Sequence, residues 1–213
     1  MATDERTRTV AILVFDGVEL LDFAGPYEAF TAAGRRADGG LFNTLTVAET
    51  MEPVRSAAGV RVLPDVTLAD CPPIDVLVVP GGMGTRVQID NPVVIDWIRE
   101  VAGNTEVTTS VCTGSFLLAK AGLMGDGSRA TTHWGSIERF RADYPQITVL
   151  ERVRFVDDGA IVSSAGVSAG IDMSLHVIER LCGRDAAASS ARLMEYDYWN
   201  PTTEATSQAA AVD

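Results

Sequence analysis

Histidine, cysteine and positive charge are all scarce in this chain of 213 residues, and each shortage closes off a class of function. There are two histidines, His133 and His176, and three widely spaced cysteines, Cys71, Cys112 and Cys182. No H-x-x-x-H or C-x-x-C pair occurs, so no dedicated transition-metal site is expected. An odd number of distant cysteines is no disulfide framework either. Lys and Arg number 17 against 29 Asp and Glu, a net charge of −12. A nucleic-acid phosphate backbone is bound by clustered cations, so a nucleic-acid partner is not expected. No apolar run approaches the ~18 residues of a transmembrane helix, so no membrane partner is expected. The opening MATDERTRTV has no hydrophobic signal segment, and a cytoplasmic location is the expectation.

What remains is a core-rich chain, 46% hydrophobic, in which strand-like and helix-like segments alternate. Met1–Arg8 is polar and predicted to fray. Thr9–Phe15 is a continuous apolar run of strand length, as a strand covered on both faces requires. Glu19–Ala33 has a helical pattern with a predicted break at Gly25-Pro26, where proline suits a first helical position. Leu41–Ala48 and Ile74–Val79 read as further strands, and Val54–Leu63 as a hairpin or edge excursion. Pro92–Val101 is a predicted helix with Asn91 as its N-cap. A hairpin is predicted around Asp157-Asp158-Gly159. Helices are expected over Ser136–Tyr144, Ile171–Leu181 and Asp185–Glu195. Pro201–Asp213 has no apolar periodicity and is expected to be a disordered tail. Residues 9–200 therefore read as one α/β domain: a mostly parallel sheet with helices on both faces, its ligand site beyond the carboxyl ends of the strands.

The organising stretch is Val107–Gly122, VTTSVCTGSFLLAKAG. Thr108, Thr109 and Val111 favour a buried strand, and Phe116–Ala121 favours a helix. Between them stands Cys112, followed by Thr113 and by Gly114, which permits a tight corner. This is the cysteine form of the strand–nucleophile–helix elbow. A helix start favours the thiolate, so the sulfur is expected to be held as an anion. Before other residues are weighed, a small buried apolar cysteine accounts for Cys112 equally well.

Other residues join it by chemistry. Asp22 lies among Leu20, Leu21, Phe23 and Ala24. A carboxyl in that frame has a raised pKa and can act as a general acid. An N-cap for the helix at Pro26 explains it as simply. Pro80–Gly84 is a glycine-rich turn at a strand's end. Gly81 and Gly82 offer backbone N–H groups to a developing negative charge, or form an ordinary turn. Their spacing is not a dinucleotide fingerprint. His133 is the obvious base for a Cys–His pair, or a packed residue beside Trp134. His176 falls in a helical apolar pattern and reads as a core histidine. Ser168, with Ser164 and Asp172, lines a pocket or caps a helix. Tyr196, Tyr198 and Trp199 form an aromatic cluster suited to a pocket wall or a dimer contact.

Five segments in order, FDGVELLDFAGPYEAF, VVPGG, SVCTGSFLLAKAGL, ATTHW and SSAGVSAGIDMSLHVIE, resemble the DJ-1/PfpI superfamily, and within it the isonitrile hydratase branch. The likeness spans about Val10 to Tyr196. It implies a flavodoxin-like three-layer sandwich, a homodimer, no metal and no organic cofactor. It implies Cys112 as nucleophile, Asp22 as its acidic partner, Thr113 as the residue after the nucleophile, and Gly82 as an N–H donor facing the site. Peptidase-like members carry histidine directly after the cysteine, where this chain has Thr113, and usually Glu in place of Asp22. The implied activity is that of a hydro-lyase turning isonitriles into N-substituted formamides through a covalent thioimidate. Two other readings stay open. One is glyoxalase-type conversion of 2-oxoaldehydes. The other is a thiol-based sensor, related to regulators that add a helix-turn-helix unit to a similar domain.

Overall fold

The computed structural model describes residues 6–34 and 40–197. Along the chain run β1 (Arg8–Leu13), α1 (Leu20–Gly34), β2 (Phe42–Ala48), β3 (Val54–Arg55), β4 (Arg61–Val62), β5 (Val66–Thr67), β6 (Val76–Val79) and α2 (Thr85–Gln88). Then come α3 (Pro92–Ala102), β7 (Val107–Val111), α4 (Gly114–Lys120), β8 (Arg129–Ala130) and a 3-10 turn at Trp134–Ser136. The remaining elements are α5 (Ile137–Asp143), β9 (Thr148–Val149), β10 (Phe155–Asp157), β11 (Ile161–Ser164), α6 (Ala169–Cys182) and α7 (Arg184–Leu193).

Seven strands make one sheet in the order β10-β11-β7-β6-β1-β2-β5. Its pairings are parallel except for the β10–β11 hairpin. Every residue of β6 and β7 is buried. Both faces of these strands are covered, which is why they read as unbroken apolar or β-branched runs instead of alternating. Helices α1, α6 and α7 pack together, as do α2, α3 and α4, completing the expected three-layer, flavodoxin-like sandwich. From β1 the chain moves outward through β2 and β5, then returns to the other side of β1 as β6. The strand order reverses at β1 and β6, and a crevice opens past their carboxyl ends.

The predicted break at Gly25-Pro26 does not occur. Helix α1 begins at Leu20 and runs through Pro26. Proline there lacks the N–H that would reach the Asp22 carbonyl four residues back. Tertiary contact overrides that local cost: a Cβ on Gly25 would lie 2.9 Å from Ile171 Cγ1, so α1 and α6 approach closely at this glycine. Asp22 therefore sits in the first turn of α1, and capping a helix at Pro26 is not its role.

Other differences are local. Strand β1 begins at Arg8, and Arg6 already pairs with Asp75 at 2.8 Å and Glu106 at 2.6 Å, so the chain is engaged before the predicted start at Thr9. Strands β5, β8 and β9 and helix α2 are two to four residues long, too short to leave a periodic signal. His176 is not a core residue. It is half-buried on α6, with Nε2 2.7 Å from Asp157 Oδ2. Burial alone would raise the Asp157 pKa, but His176, the Gly159 N–H and Arg180 outweigh it and hold the carboxyl at about 2. Met1–Glu5, Tyr198, Trp199 and Pro201–Asp213 lie outside the described residues. Among the described residues no helix is long and apolar enough to cross a membrane.

Candidate active site

Cys112 follows β7 directly and has φ +57°. That left-handed conformation is uncommon for a side chain with a Cβ and persists only where its surroundings over-determine it. Here they do. The Cys112 N–H donates to the carbonyls of Ser164 (3.2 Å) and Ala165 (3.1 Å). Its own carbonyl accepts from Thr132 Oγ1 at 2.9 Å and Ser115 Oγ at 3.2 Å. The chain then turns at Gly114, where any Cβ would stand 2.0 Å from the Val79 carbonyl oxygen. The end of β6 thus presses against the corner, and only glycine fits. Strand, strained residue and immediate helix make the sharp corner on which nucleophile elbows are built. Cys112 is 7% exposed and opens onto a cavity of about 370 Å3.

The loop after β1 is stitched to the glycine turn after β6. Glu19 N–H donates to the Gly81 carbonyl at 2.9 Å, and Val18 bridges Gly82. This brings Asp22 underneath the turn, fully buried, where Oδ2 accepts the Gly81 N–H at 3.0 Å. Its other oxygen, Oδ1, forms no hydrogen bond of good geometry. The Cys112 thiol and the Val167 N–H face the carboxyl and act on it more weakly than Gly81 does. Burial raises the Asp22 pKa to about 7, with the charge of Glu19 adding to the rise and the Gly81 bond opposing it. The raised carboxyl expected from the apolar frame is therefore present.

The expected stored thiolate is not. Burial pushes the Cys112 thiol up to about 12, the charge of Asp22 adds to the rise, and the Thr113 N–H and side chain pull the other way. Helix α4 has seven residues, and only its first turn faces the sulfur, so its dipole does not offset the desolvation. Near neutral pH the pair holds one proton on sulfur and a carboxyl that is half ionised. The proton can cross from sulfur to carboxylate without leaving the site.

The glycine N–H groups are not free donors. Gly81 is taken by Asp22, and Gly82 donates to Thr113 Oγ1 at 3.1 Å. The Thr113 hydroxyl also lies 3.1 Å from Thr85 Oγ1, so Thr113 pins the elbow to the glycine turn, and among the described residues its hydroxyl makes no hydrogen bond to Asp22. The N–H that faces the sulfur is that of Thr113. His133 does line the cavity. Its Nδ1 accepts the Gly135 N–H at 3.2 Å, which leaves Nε2 to carry the proton in the neutral ring. Ser168 and Tyr196 are not brought to the cavity. Ser168 Oγ accepts from Arg154 at 3.1 Å, and Tyr196 donates to Asp172 Oδ1 at 3.1 Å, in a cluster that ties the start of α6 to the residue before β10 and to the chain after α7. Sequence reasoning missed Val167, with φ +56°, and the walls formed by Met83, Arg86, Ile89 and Arg139. Met83 lies within the glycine turn and Arg86 on the short helix after it, so the carboxyl-edge rule applied one helix further would have found them.

Fold and site together define a class: a flavodoxin-like sandwich with a cysteine on its strand-to-helix elbow and a buried carboxyl facing the sulfur. The chain belongs to the DJ-1/PfpI family, whose model matches residues 8–180. It is similar to the isonitrile hydratase of Pseudomonas putida, with 35% identity over 187 residues, covering 88% of this chain and 78% of that protein. It is also similar to the HTH-type transcriptional regulator GbdR of Pseudomonas aeruginosa, 27% identical over 190 residues, covering 89% of this chain. The chain spans about half the length of that regulator, 51%. Among solved structures, a ThiJ/PfpI family protein from Pseudomonas syringae superposes with a TM-score of 0.81 at 28% identity, covering 92% of this chain and 78% of the other.

Proposed function

We propose that this protein hydrates isonitriles to N-substituted formamides, with Cys112 as nucleophile and Asp22 as the group that moves protons. An isonitrile, R–N≡C, binds with its terminal carbon at the sulfur. Ionised Asp22 takes the thiol proton, sulfur bonds to the carbon, and Asp22 delivers that proton to the same carbon. The product is the thioimidate R–N=CH–S–Cys112. Asp22, ionised again, takes a proton from water as the hydroxyl adds to carbon, and passes it to nitrogen. The tetrahedral species then loses sulfur as its O–H proton returns, through Asp22, to the thiol. R–NH–CHO leaves, and both side chains regain their starting protons. One carboxyl alternates as base and acid, which is efficient only with a pKa near the working pH.

A single observation carries this reading: a fully buried carboxyl with a pKa of about 7 faces the sulfur of a strained elbow cysteine. The likeness to isonitrile hydratase supports the substrate. Thr113 has a positioning role, its hydroxyl fixing the corner and its N–H facing the sulfur as charge develops there. The Gly82 N–H is occupied by the Thr113 hydroxyl and has no role in this cycle. A homodimer in the cytoplasm belongs to the same reading and rests on the family likeness alone.

The test is a small panel. Cyclohexyl isonitrile and methylglyoxal are each offered to wild type and to Cys112→Ala, with formamide and lactate followed by proton NMR. Formamide formed by wild type, and lowered by a factor of about 1,000 or more in the variant, is the expected result. Lactate without formamide transfers the same machinery to 2-oxoaldehydes. Undiminished hydration by Cys112→Ala overturns the mechanism.

A further inference from the structure

The cavity that holds Cys112 has a charge pattern opposite to that of the chain as a whole. The net charge of the chain is −12, yet the charged side chains on the cavity wall are two arginines, Arg86 and Arg139, against Glu19. Arg86 is exposed at the rim, and its sole hydrogen bond among the described residues goes to the Met83 thioether at 3.0 Å, a weak acceptor. No carboxylate among the described residues engages it. Arg139 bonds Asp143 through Nε at 3.1 Å and lies over the Phe116 ring, 4.8 Å from its centroid. Its two terminal nitrogens make no hydrogen bond among the described residues. A guanidinium presents a planar fork of donors that fits a carboxylate with two parallel bonds. Among the described residues the Arg86 fork meets no carboxylate, and Arg139, held through Nε by Asp143, keeps its two terminal nitrogens for a ligand at the same opening.

Met83, Ile89, Phe116, Val167 and Trp134 supply an apolar and aromatic part of the wall beside the polar Thr85, Thr113, His133 and Ser136; Trp134 is 82% exposed, its ring tilted against His133. A cavity of about 370 Å3 is at the small end of the range for organic ligands. We infer that the substrate is an organic anion. It carries a carboxylate for Arg86 and Arg139 at the rim, a compact apolar body against Phe116, Ile89 and Trp134, and its electrophilic carbon at Cys112. Glu19 and ionised Asp22 lie toward the sulfur end and repel an anion there, which orients the carboxylate outward and the reacting carbon inward. This names the substrate class for the site of the proposed hydration, and it rests on that reading for the isonitrile group alone.

Two measurements separate the inference from the reading beneath it. In the first, hydration of isocyanoacetate is compared with hydration of its methyl ester, and the acid-to-ester ratio of kcat/KM is recorded for wild type, Arg86→Gln and Arg86→Lys. The ratio falls about five- to tenfold in Arg86→Gln, the loss appearing in KM, and Arg86→Lys lies between because charge is kept while the fork is lost. In the second, Cys112 is alkylated with iodoacetate or iodoacetamide. Sulfur displaces iodide from the CH2 group, the thiol proton goes to solvent, and peptide mapping distinguishes Cys112 from Cys71 and Cys182. The iodoacetate-to-iodoacetamide rate ratio at Cys112 falls in Arg86→Gln, and falls further when Arg139→Gln is added. A shifted alkylation ratio in a protein that hydrates neither isonitrile keeps the anionic preference and rejects the hydratase reading. Ratios equal in wild type and Arg86→Gln overturn the preference, whatever the hydration activity.

Discussion

Replacing Asp22 by Asn tests the buried carboxyl directly, because stability and activity should move in opposite directions. The carboxyl ionises near 7 in the folded chain and near 3.8 when exposed. Between those values the folded state binds more protons than the unfolded state, so stability falls as pH rises through the window. The contribution of the protonated group is fully present below about pH 4 and gone above about pH 7. At about 1.4 kcal/mol per pKa unit, the ionised carboxyl costs the folded protein ~4 kcal/mol, more than half of which accrues between about pH 5 and pH 8. Asn keeps an oxygen for the Gly81 N–H, which Asp22 now accepts at 3.0 Å, and cannot ionise. The assay is urea unfolding of wild type and Asp22→Asn at several pH values, read as the difference between the two proteins so that all other titrations cancel. The difference should grow in favour of the variant by about 3 kcal/mol from about pH 5 to pH 8, while hydration activity is lost. A pH-independent difference means that Asp22 does not ionise near neutrality and that its proton cannot serve the proposed cycle.

The same titration should govern the rate. Hydration kcat/KM rises with pH through about 7, as Asp22 ionises and can accept the thiol proton, then stays level below the Cys112 value of about 12. A profile that falls across neutrality contradicts this assignment of the starting protons. Gly114→Ala places a Cβ 2.0 Å from the Val79 carbonyl, which no small side-chain movement relieves. A destabilisation of about 3 kcal/mol or more is expected by thermal unfolding, and Cys112 alkylation in any folded fraction should change rate because the elbow has moved.

The sequence by itself determined the layering. Continuous apolar runs separated by helical patterns require a covered parallel sheet, and the carboxyl-edge rule follows from that topology. The elbow was legible because it is local: strand, Cys112, Gly114 and helix are consecutive, so the sharing of one corner needs no long-range contact. The raised pKa of Asp22 was legible from its apolar frame, but the burial that causes it is tertiary: the carboxyl lies beneath the glycine turn, while Leu21 beside it on α1 is 37% exposed. What only the tertiary structure decided is every quantity that depends on what a distant segment supplies. Helix α1 runs through Gly25-Pro26 because Ile171 packs against that glycine. The glycine N–H groups are consumed by Asp22 and Thr113, from two other strand ends. Ser168 and Tyr196 are drawn off to Arg154 and Asp172, while Arg86 and Arg139, nothing unusual in the sequence, meet around one opening. The sulfur carries its proton for the same reason. Helix starts are written in neighbouring residues, but burial and the charge of Asp22 come from across the fold, and at short range in a dry site they outweigh the helix.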